Sequence, residues 1–563
     1  MRHALFLSVL APLLFSAPLP LQFVGNEKIS SDALYTAIGL RKPYVIEVWE
    51  KEPSLEPIAA AQSATAISAY YRSKGYYHNK VASKVSDTAI TIIIEENNPI
   101  KIADIQINSP VTIESDILLK SGALLDQEKF ADSKSRIKKR YGGAGYCNAE
   151  FNSKAWVDIE TDLAYLVFEA IPNEKCTFGA ISVESTPNID GTLVASMLRF
   201  KEGDPYDLEA IRLSYETLYA QEAIARVLIN DNDHNGSIVP IALDIEEAER
   251  PIRFTAGLGY SSDQGITAQT GVKHRNIFGN LKTLSLDARY SQIIQEASGT
   301  FGYPLANRGG LGASIGYRNE LFDGYKTEST YEKITAKYQE TPTAALVGVL
   351  FDRIQTYNST DIVTFPNNVL FITSPLGELN YDTRNKPLDP TKGVWLNAKM
   401  TGSLLTPVFS DATYLKSILS GAYIKSFDTQ VVGAKLKWGS LHLLDGRIPS
   451  SYRFYAGGMN SNRAYLYRDL GPKTSSGDPI GFASLMEGSV EYRFPIYGEF
   501  RGVLFNDLTF VSDVTIPDYT KGYWGVGGGL RYVTPIGPIA IDVGADPYNF
   551  SQYAIHFRIG ELF

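Results

Sequence analysis

The stretch Leu284-Ser-Leu-Asp-Ala-Arg-Tyr-Ser291 sets Leu284, Leu286, Ala288 and Tyr290 on one face of an extended chain and Ser285, Asp287 and Arg289 on the other. Arg253 to Tyr260, RFTAGLGY, repeats the pattern: Phe254, Ala256, Leu258 and Tyr260 oppose Arg253, Thr255, Gly257 and Gly259. It returns at the end of the chain, where Tyr553, Ile555, Phe557, Ile559 and Phe563 oppose Ala554, His556 and Arg558. Aromatic and aliphatic groups on one face with charges on the other suit a sheet that separates lipid from a polar lumen. A soluble β-sandwich would alternate too, but the stretch from Pro251 to Phe563 is too long for one sandwich. At about 20 residues per strand and connection it holds about 16 antiparallel strands, within the range of even-numbered transmembrane barrels.

Composition agrees with a β-rich chain. Among 563 residues there are 34 Tyr, 26 Phe and 47 Gly but only 5 Met. A mean hydropathy of −0.11 excludes a polytopic helical membrane protein, whereas a barrel's alternation leaves the mean unremarkable. Charged residues make up 20% and hydrophobic ones 44%, which argues against disorder. A net charge of −9 and a pI near 5.4 argue against a nucleic-acid partner bound through a basic surface.

The chain opens with MRHALFLSVLAPLLFSAPLPL, in which Arg2 supplies a positive start and Ala4 to Ala17 an apolar run. Pro12, Pro18 and Pro20 break any spanning helix, so residues 1–18 are read as a secretory signal peptide. Ala17 offers a cleavage position, but Phe15 spoils the small-residue pattern and leaves the cut point open. Two cysteines fit an oxidising compartment. Cys147 opens an extended run, and a second run begins at Leu163 after the turn-like DIETD. In a hairpin that pairs position 158 with 163, residue 147 faces about 174, close enough to Cys176 for a bridge. The alternative is two separate buried thiols.

Before Pro251, helical and extended segments alternate in three degenerate repeats of roughly 75 residues. The second runs from the strand IADIQINS through a helical stretch near Ile113, Gly122-x-x-x-Asp126, a helix from Gln127 to Tyr141 and Gly145-Tyr146 into the hairpin. The third begins with FGAISVES and carries Gly203-x-x-x-Asp207 before a helix whose apolar face is Leu208, Ile211, Tyr215 and Leu218. It closes with IARVLIN and IVPIALDIEE. The first, weaker repeat offers LQFVGN, a helix with Ile58, Ile67 and Tyr71, then Gly75-Tyr76 and TIIIEE. The order β-α-α-β-β describes a small α+β unit with helices on one side of a short sheet. The expected segments are 19–97, 98–173 and 174–249, followed by a barrel over 250–563.

Enzyme chemistry finds no support. Gly312-Ala-Ser314-Ile-Gly316 matches a nucleophile elbow but lies in an alternating strand with no helix after it. Asp231-Asn-Asp233-His-Asn235-Gly236 resembles the start of a calcium loop, but Ala242 stands where the closing Glu belongs. The six His are scattered, and no phosphate-cradling loop is present, so neither metal nor cofactor is expected.

The stretch Tyr455 to Pro472, YAGGMNSNRAYLYRDLGP, resembles the signature loop of the BamA/TamA family of outer-membrane assembly factors. That loop carries an Arg-Gly-aromatic core after a Gly pair. Gly457, Gly458, Arg463 and Tyr465 match it, and Ala464 replaces the usual glycine. Ser489-Val-Glu491-Tyr-Arg-Phe-Pro495 resembles the family strand after the loop, and Phe505-Asn-Asp507-Leu the next, with Thr509 departing from the pattern. Gly527 to Pro538 followed by Asp542 is similar to the penultimate hairpin. Phe557 and the terminal Phe563 resemble the C-terminal signal of outer-membrane barrels, with Glu561 an imperfection. The three N-terminal repeats resemble polypeptide-transport-associated (POTRA) domains, and three of them point to the TamA branch.

The resemblance implies insertion of outer-membrane barrel or autotransporter clients, outer-membrane lipid around the wall and a TamB-like periplasm-spanning partner. It also implies that Arg463 has lumenal carboxylate partners. Alternation turns Glu491 away from Val490, Tyr492 and Phe494, and Asp507 away from Leu504, Leu508 and Phe510, so both are expected to point inward. Gly257 and Gly259 in the first barrel strand and Gly560 in the last supply no side chains for cross-strand packing, which predicts a weak seam. A two-partner-type secretion pore and a phospholipid-transport module are the alternative readings.

Overall fold

The structure, a computed structural model, describes residues 17–42, 52–184, 187–231, 236–306, 308–386, 389–404, 406, 409–427, 429–532, 534 and 539–559. Most of the expected signal peptide, Pro535–Pro538, Gly560 and Phe563 lie outside them, as does the middle of the calcium-loop look-alike. The described chain forms two compact units, one of residues 1–181, 200–212 and 230–241, the other of 182–199, 213–229 and 242–563.

The α/β repeats share one sheet order. In the first, Leu19–Val24 runs parallel to Ile90–Glu95, which pairs antiparallel with Lys80–Val85; a short strand, Ser54–Leu55, flanks the other edge. In the second, Lys101–Asn108 runs parallel to Leu163–Ile171, which pairs antiparallel with Glu150–Asp158. Thr177–Glu184, Ile238–Glu247 and Ile224–Asn230 follow the same order in the third. Each sheet buries one face: Ile90, Ile92 and Ile94 point at Ile67 and Tyr71 of the helix Ala60–Ser73. Ala164, Leu166 and Phe168 do the same against Ile137 and Tyr141 of the helix Gln127–Gly143.

Local chemistry starts and stops these helices. Asp126 caps the second-repeat helix, accepting from the amides of Glu128 at 2.9 Å and Lys129 at 3.2 Å. At the far end Gly145 takes φ +92°, and Tyr146 N bonds back to Tyr141 O at 3.1 Å; Gly75 with Tyr76 and Tyr71 repeats this at 3.0 Å. The turn carbonyls then seed the next sheet, Gly75 O accepting from Ile100 N and Gly145 O from Cys176 N, both at 2.8 Å. Two expectations need correction. Ile58 stands 88% exposed on a short 3₁₀ turn, Pro57–Ala59, because Pro57 cannot continue a helical ladder backwards. The stretch near Ile113 is only a 3₁₀ turn, Glu114–Asp116, with Ile113 itself buried.

Sixteen antiparallel strands, from Ile252–Ser261 to Asn549–Ile559, close a barrel. The alternation read at Leu284 governs its wall: Phe254, Leu258, Leu286, Ile315, Ile334, Val347 and Leu504 are exposed outside. Asp507, Thr509, Asp542, His556 and Arg558 are buried inside. Such a wall satisfies every interior strand's backbone while presenting hydrocarbon to lipid. Among the described residues no helix is long and apolar enough to cross a membrane.

In the second repeat Asp158 lies opposite Leu163 and Glu150 opposite Ile171. Cys147 and Cys176 are bonded beyond the open end, with Cα atoms 5.8 Å apart and a sequence separation of 29. We expect Cys147→Ser to cost this hairpin about 3 kcal/mol in the chain-entropy picture. Hydrogen exchange over Glu150–Ile171, with and without reductant, measures it; unchanged protection, or peptide mapping that finds both thiols free in exported protein, contradicts the expectation.

Candidate functional site in the barrel lumen

A long connection leaves the eleventh barrel strand, Gln430–Gly446, and folds inward before the twelfth, Ser484–Tyr497. It has a core of its own. Phe454, Ala456, Ala464, Tyr465, Leu470 and Phe482 cluster with Tyr414, Leu441 and Leu485 of the wall. Gly457 and Gly458 take φ of +100° and +102°. A Cβ at Gly457 would run into the Leu466 carbonyl, and one at Gly458 would sit 2.8 Å from the Asp263 carboxylate, so this turn admits only glycine. It is closed by Gly458 N donating to Tyr465 O at 3.0 Å and Gly457 N to Ser461 Oγ at 2.8 Å.

That turn delivers Arg463 to the twelfth strand and to the thirteenth, Phe500–Ser512. Its Nε and Nη2 donate to the two oxygens of Asp507, each at 2.8 Å, and its backbone amide adds a third bond to Asp507 at 3.0 Å. Nη1 donates to Glu491 at 2.8 Å, and Nη2 also to Ser489 Oγ at 3.1 Å. The guanidinium carbon lies 3.5 Å from the centroid of the Phe505 ring. Arg463, Asp507 and Glu491 are all shielded from solvent, so the pair forgoes hydration and depends on this full set of bonds. Charges continue to alternate outward from it: Arg493 Nε donates to Glu491 at 2.7 Å, and Arg531 grips Asp542 at 2.6 and 2.8 Å.

The structure thus brings together Arg463, Glu491, Asp507, Gly457, Gly458 and Tyr465, whose hydroxyl donates to Asp546 at 3.0 Å. Ala464 costs the loop nothing in backbone geometry, since its φ is not positive. Gly257 and Gly259 lie elsewhere, paired with Gln269 and Thr267 of the second strand, Gly265–His274; a Cβ on either would crowd those side chains. Among the described residues, Tyr260 of the first strand and Phe557 of the last pack across the seam, ring centroids 5.8 Å apart.

Other participants were not singled out from the sequence. Ser489 and Phe505 complete the arginine's surroundings. Gly525 on the fourteenth strand, Gly522–Tyr532, and Gly544 on the fifteenth, Ile539–Asp546, leave room for the loop: a Cβ at Gly525 would collide with Asn462, one at Gly544 with the Arg463 carbonyl. Gly525 stands in a glycine-rich stretch, GYWGVGGGL, whereas Gly544 is a single glycine in IAIDVGAD with no local signal. Among the described residues no group of His, Cys, Asp or Glu is placed to hold a metal ion.

Replacing Arg463 by Ala should leave buried Asp507 without its cationic partner and Glu491 with Arg493 in its place, and weaken loop docking by about 3–5 kcal/mol. Lys should not restore it, lacking the fork that spans Asp507. Limited proteolysis within Tyr455–Pro472 of the folded barrel reads the effect, and wild-type protection of the Arg463→Ala loop would refute it.

Known proteins share this architecture. The chain is 23% identical over 467 residues to the outer membrane protein assembly factor BamA of Nitratidesulfovibrio vulgaris, covering 77% of this chain and 57% of that protein. It is 20% identical over 526 residues to the BamA of Neisseria meningitidis, covering 85% and 65%. The chain therefore spans less than two thirds of the length of these curated relatives. The crystal structure of Haemophilus ducreyi BamA lacking POTRA domains 1–3 superposes with a TM-score of 0.58 at 18% identity, over 82% of this chain and 100% of that one. The Omp85 superfamily domain matches residues 252–563, the whole of the barrel and its lumenal loop, and the chain belongs to that superfamily.

Proposed function

We propose that this protein inserts outer-membrane β-barrel or autotransporter proteins through the seam between its first and last barrel strands. POTRA-like domains at 19–97, 98–173 and 174–249 serve as periplasmic docking modules, and a TamB-like partner spans the periplasm. The setting is the bacterial outer membrane, where the curated relatives are named as assembly factors. The chemistry is non-covalent. Exposed sheet edges in the repeats capture extended client segments by β-augmentation, and the barrel seam templates their backbone hydrogen bonds as they enter lipid.

The observation that carries this reading is the seam itself. The first and second strands pair at every position from Ile252 opposite His274 to Ser261 opposite Gly265. Among the described residues, the first and last strands meet at Tyr260–Ile559 and Ser261–Arg558. This junction joins the two ends of the barrel, with no turn linking the paired strands, so parting it leaves every hairpin intact and exposes two strand edges ready to accept a third. The arginine loop docks on inward-facing residues of the wall inside the lumen, which favours lateral passage over a lumenal pore.

Cysteine pairs placed at 260 with 559 and at 261 with 558, which face each other across the seam, test it. An efficiently formed cross-link should abolish client assembly in cells or in reconstituted vesicles, and reduction should restore it. Normal assembly through a fully locked seam would overturn lateral insertion in favour of a lumenal or lipid-transport route.

A further inference from the structure

The tip of the lumenal loop touches both banks of the seam. On the last-strand side, His556 is 1% exposed and its Nε2 lies 3.1 Å from the carbonyl oxygen of Arg463. A carbonyl only accepts, so Nε2 donates. Gln552 Nε2, on the same face of that strand, donates to the carbonyl of Ala464 at 3.1 Å. On the first-strand side, Asp263 in the turn after Ser261 accepts from the amide of Met459, also on the loop, at 3.0 Å. The two banks then meet at one point. His556 Nδ1 faces Asp263 Oδ1 at 3.4 Å and Ser262 Oγ at 3.5 Å, and Ser262 N donates to Phe557 O at 2.9 Å.

We propose that Asp263 and His556 form a clasp through which the arginine loop holds the seam shut, so that loop release and seam opening are a single event. They are positioning residues: neither need touch a client. The backbone carbonyl that His556 holds belongs to Arg463, whose side chain is anchored to Asp507 and Glu491. The buried ion pair is thereby connected, through one peptide unit and one imidazole, to the last strand at the seam. These side-chain ties join the banks beside the described main-chain pairs Tyr260–Ile559 and Ser261–Arg558. A client strand that displaces the ladder must also break the clasp, and a loop drawn out of the lumen takes the clasp with it.

The inference rests on the seam being the working part of the protein, and its test needs no client. Full-length protein in lipid nanodiscs carries a cysteine pair across the seam at residues 260 and 559, which face each other, and the rate of disulfide formation with a mild oxidant reports closure. His556→Ala and Asp263→Ala should each speed loop proteolysis and slow cross-linking on the order of tenfold, the scale of one lost hydrogen bond to a charged group. The double variant should be no worse than the more severe single one, because either removal opens the same clasp. His556→Gln, which keeps an amide donor in reach of the Arg463 carbonyl, should recover part of the loss. Heat-modifiable gel migration selects variants whose barrels have folded. If folded His556→Ala frees the loop but leaves seam cross-linking at the wild-type rate, the two motions are independent and the clasp is wrong. Should a locked seam prove dispensable for assembly while the clasp behaves as described, the coupling stands and the proposed insertion route falls.

Discussion

A guanidinium buried in a protein interior is tolerable only when its hydrogen-bonding capacity is met, and that constraint organises this lumen. Arg463 reaches Asp507, Glu491 and Ser489 at once and rests on the Phe505 ring. To place it there the chain must turn sharply at Gly457 and Gly458, fold a small apolar core around Tyr465, and approach the wall where Gly525 and Gly544 carry no side chains. The alternation of the strands supplies the rest, since only inward positions can present carboxylates to the loop. Removing the arginine would not merely delete a contact; it would leave two carboxylates desolvated and the loop without its anchor.

The same loop also reaches the junction that closes the barrel. Consecutive strands are linked by turns, whereas this junction joins the first strand to the last, with described pairs at Tyr260–Ile559 and Ser261–Arg558. Cross-links from the loop tip to Asp263, Gln552 and His556 place part of the closing energy in the lumen, where a displaced loop can withdraw it. Locating that energy in side chains makes it switchable in a way that a continuous ladder would not be.

Outside the barrel, the α/β repeats reuse one solution. A tyrosine at each helix end, a glycine in the left-handed region and a carbonyl passed to the next sheet recur at Tyr71–Gly75 and Tyr141–Gly145. The disulfide from Cys147 to Cys176 closes the open end of the second hairpin. Elements whose outcome turned on a single residue were read less well. Ile58 has the spacing of a core residue but follows Pro57, and the exposed 3₁₀ turn results from the missing amide rather than from hydrophobicity.

What the sequence by itself determined is the set of properties that repeat along the chain. Period-two alternation of aromatic and charged residues specifies a two-faced wall, its length specifies about 16 strands, and recurring helix-cap, glycine and tyrosine positions specify α/β units. Arg463, Glu491 and Asp507 were legible because motif and alternation turned all three inward. Only the tertiary structure decided which strand edges meet and what lies across them. Closure brings Asp263 within reach of His556 although nearly the whole barrel separates them in sequence, and it sets Gly525 and Gly544 beside the loop. Register across a closing seam is fixed by barrel shear and by the loop that fits inside, neither of which leaves a local signature in the residues concerned.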